Sequence, residues 1–193
     1  MHRDFNAAYA GTPPWDIGRP QPAFVALAEA GAVQGSILDA GCGTGENALY
    51  FAGLGHEVWG IDGAPAAIAK AKEKAATRDL KVTFLVHDAL ALQTLGRTFD
   101  TVIDSGLFHV FDDEARPRYV ASLAAAVRAG GRYFMLCFSD LQPGTDGPRR
   151  VTQAEIRAAF ATGWRVDEIK EVTLSAWIPG GGARSWLASL TRL

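Results

Sequence analysis

Short apolar runs alternate along this chain with longer stretches whose apolar positions recur at helical spacing, the pattern of a sheet with covering helices. Ser36-Ile37-Leu38 predicts a first strand, and Glu46 to Ala52 predicts a helix after a glycine-rich turn. Glu57 to Ile61 predicts the second strand, and Ala64 to Ala76 an alanine-rich helix with Ala64, Ile68, Ala71 and Ala75 on one face. Lys81 to Val86 and Phe99 to Ile103 predict strands three and four. The stripe Tyr119, Leu123 and Val127, closed by Gly130-Gly131, marks the next helix, and Arg132 to Phe138 predicts strand five. Thr152 and Glu155 have capping-box spacing and open a helix that carries Ile156 and Phe160 on one side and stops at Gly163. Trp164 to Leu174 and Arg184 to Leu193 predict two final extended segments.

Repeated strand-helix units with short loops demand right-handed crossovers, and so an α/β fold whose parallel sheet is covered on both faces. Ligands of such sheets bind beyond the strand carboxyl ends. Asp39, Asp62, Asp88 and Asp104 all fall at or just past such ends. Any one of them can merely cap a helix, but four at successive strand ends point to one shared site.

The turn Leu38-Asp39-Ala40-Gly41-Cys42-Gly43-Thr44-Gly45 supplies the chemistry. Glycines alternating with small residues let the backbone turn sharply and let a ligand approach closely. A dinucleotide site wants G-x-G-x-x-G, whereas here the third glycine comes one residue early and Glu46 follows it. Carboxylates at Asp39 and Glu46 repel a pyrophosphate and suit the ammonium and sulfonium of S-adenosylmethionine. Asp62, about twenty residues after the first glycine, is placed to take two ribose hydroxyls. By itself G-x-G-x-G is only a tight turn; Asp39 and Asp62 make it a nucleoside site.

Composition narrows the class further. A chain of 193 residues, 48% hydrophobic and 21% charged, fits a single domain. A net charge of −2 draws it to neither nucleic acid nor anionic membrane, and Arg149-Arg150 reads as a solvated loop. Cys42 and Cys137 read as small buried residues in a reducing compartment, and no metal is expected. The start Met1-His2-Arg3-Asp4 lacks an apolar signal core and no run approaches a membrane span, so a cytoplasmic protein is expected.

On Leu38 to Gly45, Gly60-Ile61-Asp62, His87-Asp88-Ala89 and Phe99 to Ser105, the chain resembles the class I S-adenosylmethionine-dependent methyltransferases over essentially its whole length. Within that group, Thr12 to Pro22 is similar to the N-terminal segment of the thiopurine, thiol and halide methyltransferases and of bacterial heterocyclic-toxin and quinolone methyltransferases. Gly106 to Asp113 looks closest to the last of these. The resemblance implies a Rossmann-like domain with a seven-stranded, mostly parallel sheet and an antiparallel C-terminal strand. It implies a lid or cap over residues 1–33, a cofactor core over 34–140 and a substrate-side part over 141–193. Thiopurine-type enzymes carry additional N-terminal tryptophans, whereas this chain has only Trp15 before its glycine loop.

Carried over residue by residue, the resemblance puts Gly41, Gly43, Gly45 and Asp39 at the methionine part of the cofactor. Asp62 with Gly63 would lie at the ribose, Asp88 and Ala89 at the adenine, and the backbone of Asp104 and Ser105 at the methionine end. Trp15 either offers its ring near the sulfonium or pins the N-terminal segment as an aromatic staple. Phe108 and Phe111, with Tyr9, Trp177 and Trp186, are expected to wall the acceptor pocket. His109 either steers the acceptor or takes its proton, unless it is purely structural.

A sulfonium is an activated donor, so alignment and a dry pocket do most of the work. The segment Asp104-Ser105-Gly106-Leu107 lacks the double proline with an aromatic that grips a flipped base, and no basic stripe with interleaved aromatics is present. A small aromatic or heterocyclic acceptor, methylated at N or O, is the expectation, with sulfur or halide second, on a monomer or homodimer. Two rivals stand beside it: a nicotinamide oxidoreductase, disfavoured by the glycine spacing, and a non-catalytic S-adenosylmethionine-binding module.

Overall fold

The computed structural model describes residues 5–193, and the polar start Met1 to Asp4 lies outside the described residues. The strands are β1 (Ile37–Ala40), β2 (Val58–Asp62), β3 (Val82–Val86), β4 (Phe99–Ser105), β5 (Val127–Phe138), β6 (Trp164–Ser175) and β7 (Gly182–Arg192). They form one sheet in the order β3-β2-β1-β4-β5-β7-β6. Pairings from β3 through β5 are parallel, and β7 runs antiparallel to both β5 and β6. The strand order reverses between β1 and β4, which is where a ligand crevice opens in sheets of this kind.

The helices are α1 (Phe5–Ala8), α2 (Pro22–Glu29), α3 (Glu46–Gly53), α4 (Pro65–Thr77), α5 (Ala115–Ala126) and α6 (Gln153–Ala159). Strand pleating sends alternate side chains to two separate cores. Leu38, Ala40, Val102, Tyr133 and Met135 pack with Tyr119 and Leu123 of α5 and Ile156 of α6. Ile37, Ile103, Phe134 and Leu136 pack on the other face with Phe24 of α2, Phe51 of α3 and Ile68 and Ala71 of α4. Burying each such aromatic or branched side chain contributes about 1.5–3 kcal/mol. Among the described residues, no helix is long and apolar enough to cross a membrane.

Three expectations about elements need correction. Val127 does not close the α5 stripe: with φ −91° and ψ 124° it is already extended, and it pairs with Phe99 as the first residue of β5. Gly130-Gly131 therefore serves a bulge inside that strand, where the register shifts between Phe99 and Thr101. A Cβ on Gly131 would sit 2.8 Å from Val127 Cγ1 and 3.0 Å from the Asp100 carbonyl oxygen, so the two strands close only around a glycine. The capping box at Thr152 and Glu155 is present, yet α6 ends at Ala159 before Gly163. Helix α2, whose apolar face is only Ala23, Phe24 and Leu27, escaped notice because eight residues offer little periodicity.

Candidate active site

The glycine turn joins β1 to α3, with all three glycines at positive φ, from 54° to 86°. Gly43 is a point of close approach, because a Cβ there would lie 2.7 Å from the Tyr9 hydroxyl. Gly45 serves packing instead: its Cβ would strike the Phe84 ring at 2.7 Å. Gly41 faces Leu107, its would-be Cβ 3.1 Å from that side chain.

Asp39 is wholly buried in β1 beneath this turn. One carboxylate oxygen accepts the Ala48 backbone N–H at 3.1 Å, and the other, Oδ1, has no hydrogen-bond partner. Burial pushes its pKa up to about 8 against the lowering effect of the Ala48 bond, with Asp104 and Asp62 adding to the rise. Asp62 ends β2 and receives two backbone donors, Gly43 N–H at 2.9 Å and Ala64 N–H at 2.8 Å. Burial raises its pKa, opposed by those two bonds. Gly63 is exposed beside it. Past β3, exposed Asp88 caps a 3-10 turn by accepting Leu90 N–H at 2.8 Å, and Ala89 follows half-buried.

Glu46 plays a different part from the one expected of it. Its carboxylate meets Lys74 at 2.7 Å and Arg78 at 2.8 Å. Burial works to raise its pKa, but those two cations outweigh it and hold the group low. The charge is compensated from α4, so Glu46 adds no net repulsion at the turn. Lys74 also donates to Thr44 Oγ1, whose hydroxyl donates to Asp16 at 2.9 Å.

Asp104 near the end of β4 is also wholly buried, and four donors saturate it. Leu107 N–H (2.7 Å), Phe108 N–H (3.0 Å), Tyr119 OH (3.1 Å) and Tyr133 OH (2.8 Å) all point at its carboxylate. Burial carries its pKa up to about 6 while these bonds pull it down. Half-buried Ser105 follows as the last residue of the strand.

The residues expected to wall an acceptor pocket separate into groups. Phe108 has no exposed surface: it stacks on Phe160 with centroids 5.8 Å apart and lies under the Arg116 guanidinium at 4.6 Å. It is a core residue, because the 3-10 turn at 108–110 points it inward toward α6. Trp186 is likewise committed, its indole N–H shared between Asp140 Oδ1 and the Val151 carbonyl. Tyr9 sits at the glycine turn and accepts the Trp15 indole N–H at 2.9 Å. Phe111 is half-buried against Tyr119 at 4.7 Å, and Trp177 is 68% exposed on the β6–β7 connection.

His109 is buried just past β4. Its Nδ1 accepts the Phe138 backbone N–H at 3.0 Å, and its ring meets the Phe138 ring edge-on at 5.1 Å. Because a backbone amide only donates, the neutral ring carries its proton on Nε2. Of the three readings of His109, proton acceptance does not fit this tautomer, whereas steering and a purely structural role both do.

A strap from Tyr9 to Gln21 joins the two halves of the crevice. Asp16 takes Thr44 at one end, while the Gln21 side chain exchanges two hydrogen bonds with the Ser175 backbone at 3.0 and 2.9 Å at the other. Trp177 donates its backbone N–H to the Pro14 carbonyl at 2.7 Å and its indole N–H to the Asp16 carbonyl at 3.2 Å. Trp15, 36% exposed, lies edge-on to Phe5 and Tyr9 of its own N-terminal segment.

Residues 37–131 match the family described as a methyltransferase domain. Over 170 residues the chain is 43% identical to the 2-heptyl-1-hydroxyquinolin-4(1H)-one methyltransferase of Mycobacteroides abscessus, covering 86% of this chain and 75% of that protein. The chain belongs to the S-adenosylmethionine-dependent methyltransferases. A structure solved for the conversion of a disulfide bond into a thioacetal group during echinomycin biosynthesis superposes on this methyltransferase with a TM-score of 0.90. That pair shares 40% identity over 100% of this chain and 93% of the other. The magnesium protoporphyrin IX methyltransferase of Synechocystis PCC 6803 with bound S-adenosylmethionine shares the fold, with a TM-score of 0.69 and 22% identity over 89% of this chain and 76% of that one.

The crevice of this methyltransferase suits its cofactor on structural grounds. A buried carboxylate oxygen with no donor is costly unless a ligand supplies one, and Asp39 Oδ1 is such an atom. The strap contacts of Asp16 and Gln21 and the bond from Phe138 to His109 leave no trace in the sequence. Nothing local marks them, since their partners lie far away in sequence.

Proposed function

We propose that the enzyme methylates N or O of a small aromatic or heterocyclic molecule by in-line transfer. One observation carries the cofactor half: the partnerless Asp39 Oδ1 is a buried carboxyl seat for the ammonium of S-adenosylmethionine, ionised as the ammonium enters. Asp62 would take the ribose hydroxyls, and Asp88 with Ala89 the adenine edge. The backbone from Gly41 to Gly45 and at Ser105 would flank the methionine part, with Tyr9 and Trp15 closing over it. When bound, the cofactor supplies an electrophilic methyl group on a sulfonium. The chain's own residues then bind, orient and exclude water, the strap covering the strand ends and His109 Nε2–H steering the acceptor.

The exposed or half-buried Leu107, Val110 and Phe111 just past β4 support a planar acceptor, as does 43% identity to a methyltransferase named for a hydroxyquinolone. A sulfur acceptor is the second reading, favoured by the 40% identity to a structure concerned with disulfide conversion. Incubation with labelled cofactor and a panel of N-hydroxyquinolones, phenols, thiols and disulfides, followed by mass spectrometry, tests both. Methylated quinolone or phenol supports the first reading, methylated sulfur the second, and no methylated member rejects both.

A further inference from the structure

We propose that Arg150 is a positioning residue for the acceptor side of the site, acting through Phe138 on His109. The loop after β5 turns its carbonyls inward. The Arg150 guanidinium collects five of them: Gln142 (3.2 Å), Pro148 (2.7 Å), Pro143 (3.3 Å), Gly144 (3.2 Å) and Asp146 (3.0 Å). Converging carbonyl oxygens repel one another and need donors; in the planar guanidinium fork, Nε and Nη1 take one carbonyl each, and the two Nη2 hydrogens are shared among the other three. The same guanidinium lies 5.3 Å from the centroid of the Phe138 ring.

Phe138 is where the loop and the site meet. Its carbonyl accepts Val151 N–H at 3.0 Å, which closes the base of the loop, and its own N–H donates to His109 Nδ1. One residue therefore ties down the loop and fixes both the ring orientation and the tautomer of His109. Arg150 presses on that residue from the loop side while the His109 ring meets it edge-on. The sequence made Arg150 half of a solvated basic pair, whereas the structure spends its charge on loop carbonyls.

The inference rests on the proposed placing of His109 at the acceptor, and its test separates the two. In Arg150→Lys the charge remains, but three donors on a flexible stem replace the planar fork. NMR of the full chain should show the Phe138 amide and His109 ring signals moving in this variant. Shifts confined to residues 141–149 would overturn the proposal. With 2-heptyl-1-hydroxyquinolin-4(1H)-one as the acceptor, kcat/KM should fall about ten- to a hundredfold, while affinity for S-adenosylhomocysteine stays within about twofold. In Arg150→Ala, added guanidinium ion should recover part of the lost turnover and return the His109 signals toward their original positions. A loss that guanidinium leaves untouched and that simply tracks the melting temperature would make Arg150 a stability residue and reject the idea. If the unaltered enzyme methylates no acceptor, the placing of His109 fails, while the NMR result still decides whether Arg150 holds it.

Discussion

Asp39 and Asp104 are the same residue type on neighbouring strands, one register step apart, and both are wholly buried. Pleating sends Asp39 to the α3 face, where it finds a single backbone donor, and Asp104 to the α5 face, where four donors saturate it. One carboxylate keeps an oxygen without a partner; the other fastens β4, β5, α5 and the turn after β4 together. Position at a strand end thus does not by itself say what an aspartate does, since the donors around it decide whether it is saturated as a brace or left with an open oxygen.

The sharpest way to break this contrast is Asp104→Ala, which strands two tyrosine hydroxyls and two backbone N–H groups in the core. It should cost about 3–5 kcal/mol of stability in urea unfolding, and a loss below about 1 kcal/mol would mean that the four donors find other partners. Asp39→Asn should instead weaken S-adenosylhomocysteine binding by about 1–3 kcal/mol in calorimetry and leave the ligand-free protein at least as stable above pH 8. Greater instability there would show that the carboxylate braces the fold after all.

The raised pKa of Asp39 gives the contrast a pH dependence. A carboxyl group whose folded pKa is raised to about 8 lends the ligand-free protein stability that is full below its ordinary value near 4 and is lost as pH rises through 8. Ammonium binding favours the ionised form, so S-adenosylhomocysteine affinity should climb with pH up to about 8, by as much as about tenfold per unit. Calorimetry in buffers of different ionisation enthalpy should register a proton released on binding; affinity flat from pH 6 to 8 would remove Asp39 from the ammonium site. The smallest effect belongs to Glu46→Gln. Its partners are partly exposed cations, so stability should fall by about 1 kcal/mol or less, and S-adenosylhomocysteine affinity should change by no more than about twofold. A larger change would return Glu46 to the cofactor field.

Much of this was legible in the chain because the signals are local. The glycine turn, the apolar runs and the Thr152–Glu155 box each lie within a few residues, and each formed where spacing placed it. Val127 and Gly130-Gly131 misled because helix-ending chemistry and a strand bulge ask for the same residues, and only pairing with Phe99 separates them. Phe108 and Trp186 misled in another way: aromatic character says that a ring will be covered without saying whether ligand or protein covers it.

The sequence by itself determined the elements, the parallel sheet with covering helices and the turn between β1 and α3, since backbone propensity, periodicity and turn chemistry act over short distances. Only the tertiary structure decided which aspartate stays unsatisfied, that Lys74 and Arg78 neutralise Glu46, that Tyr9 belongs at the glycine turn, and that Phe138 fixes the His109 tautomer. Those outcomes depend on which donors packing brings within about 3 Å, and each joins groups that only the folded sheet places side by side.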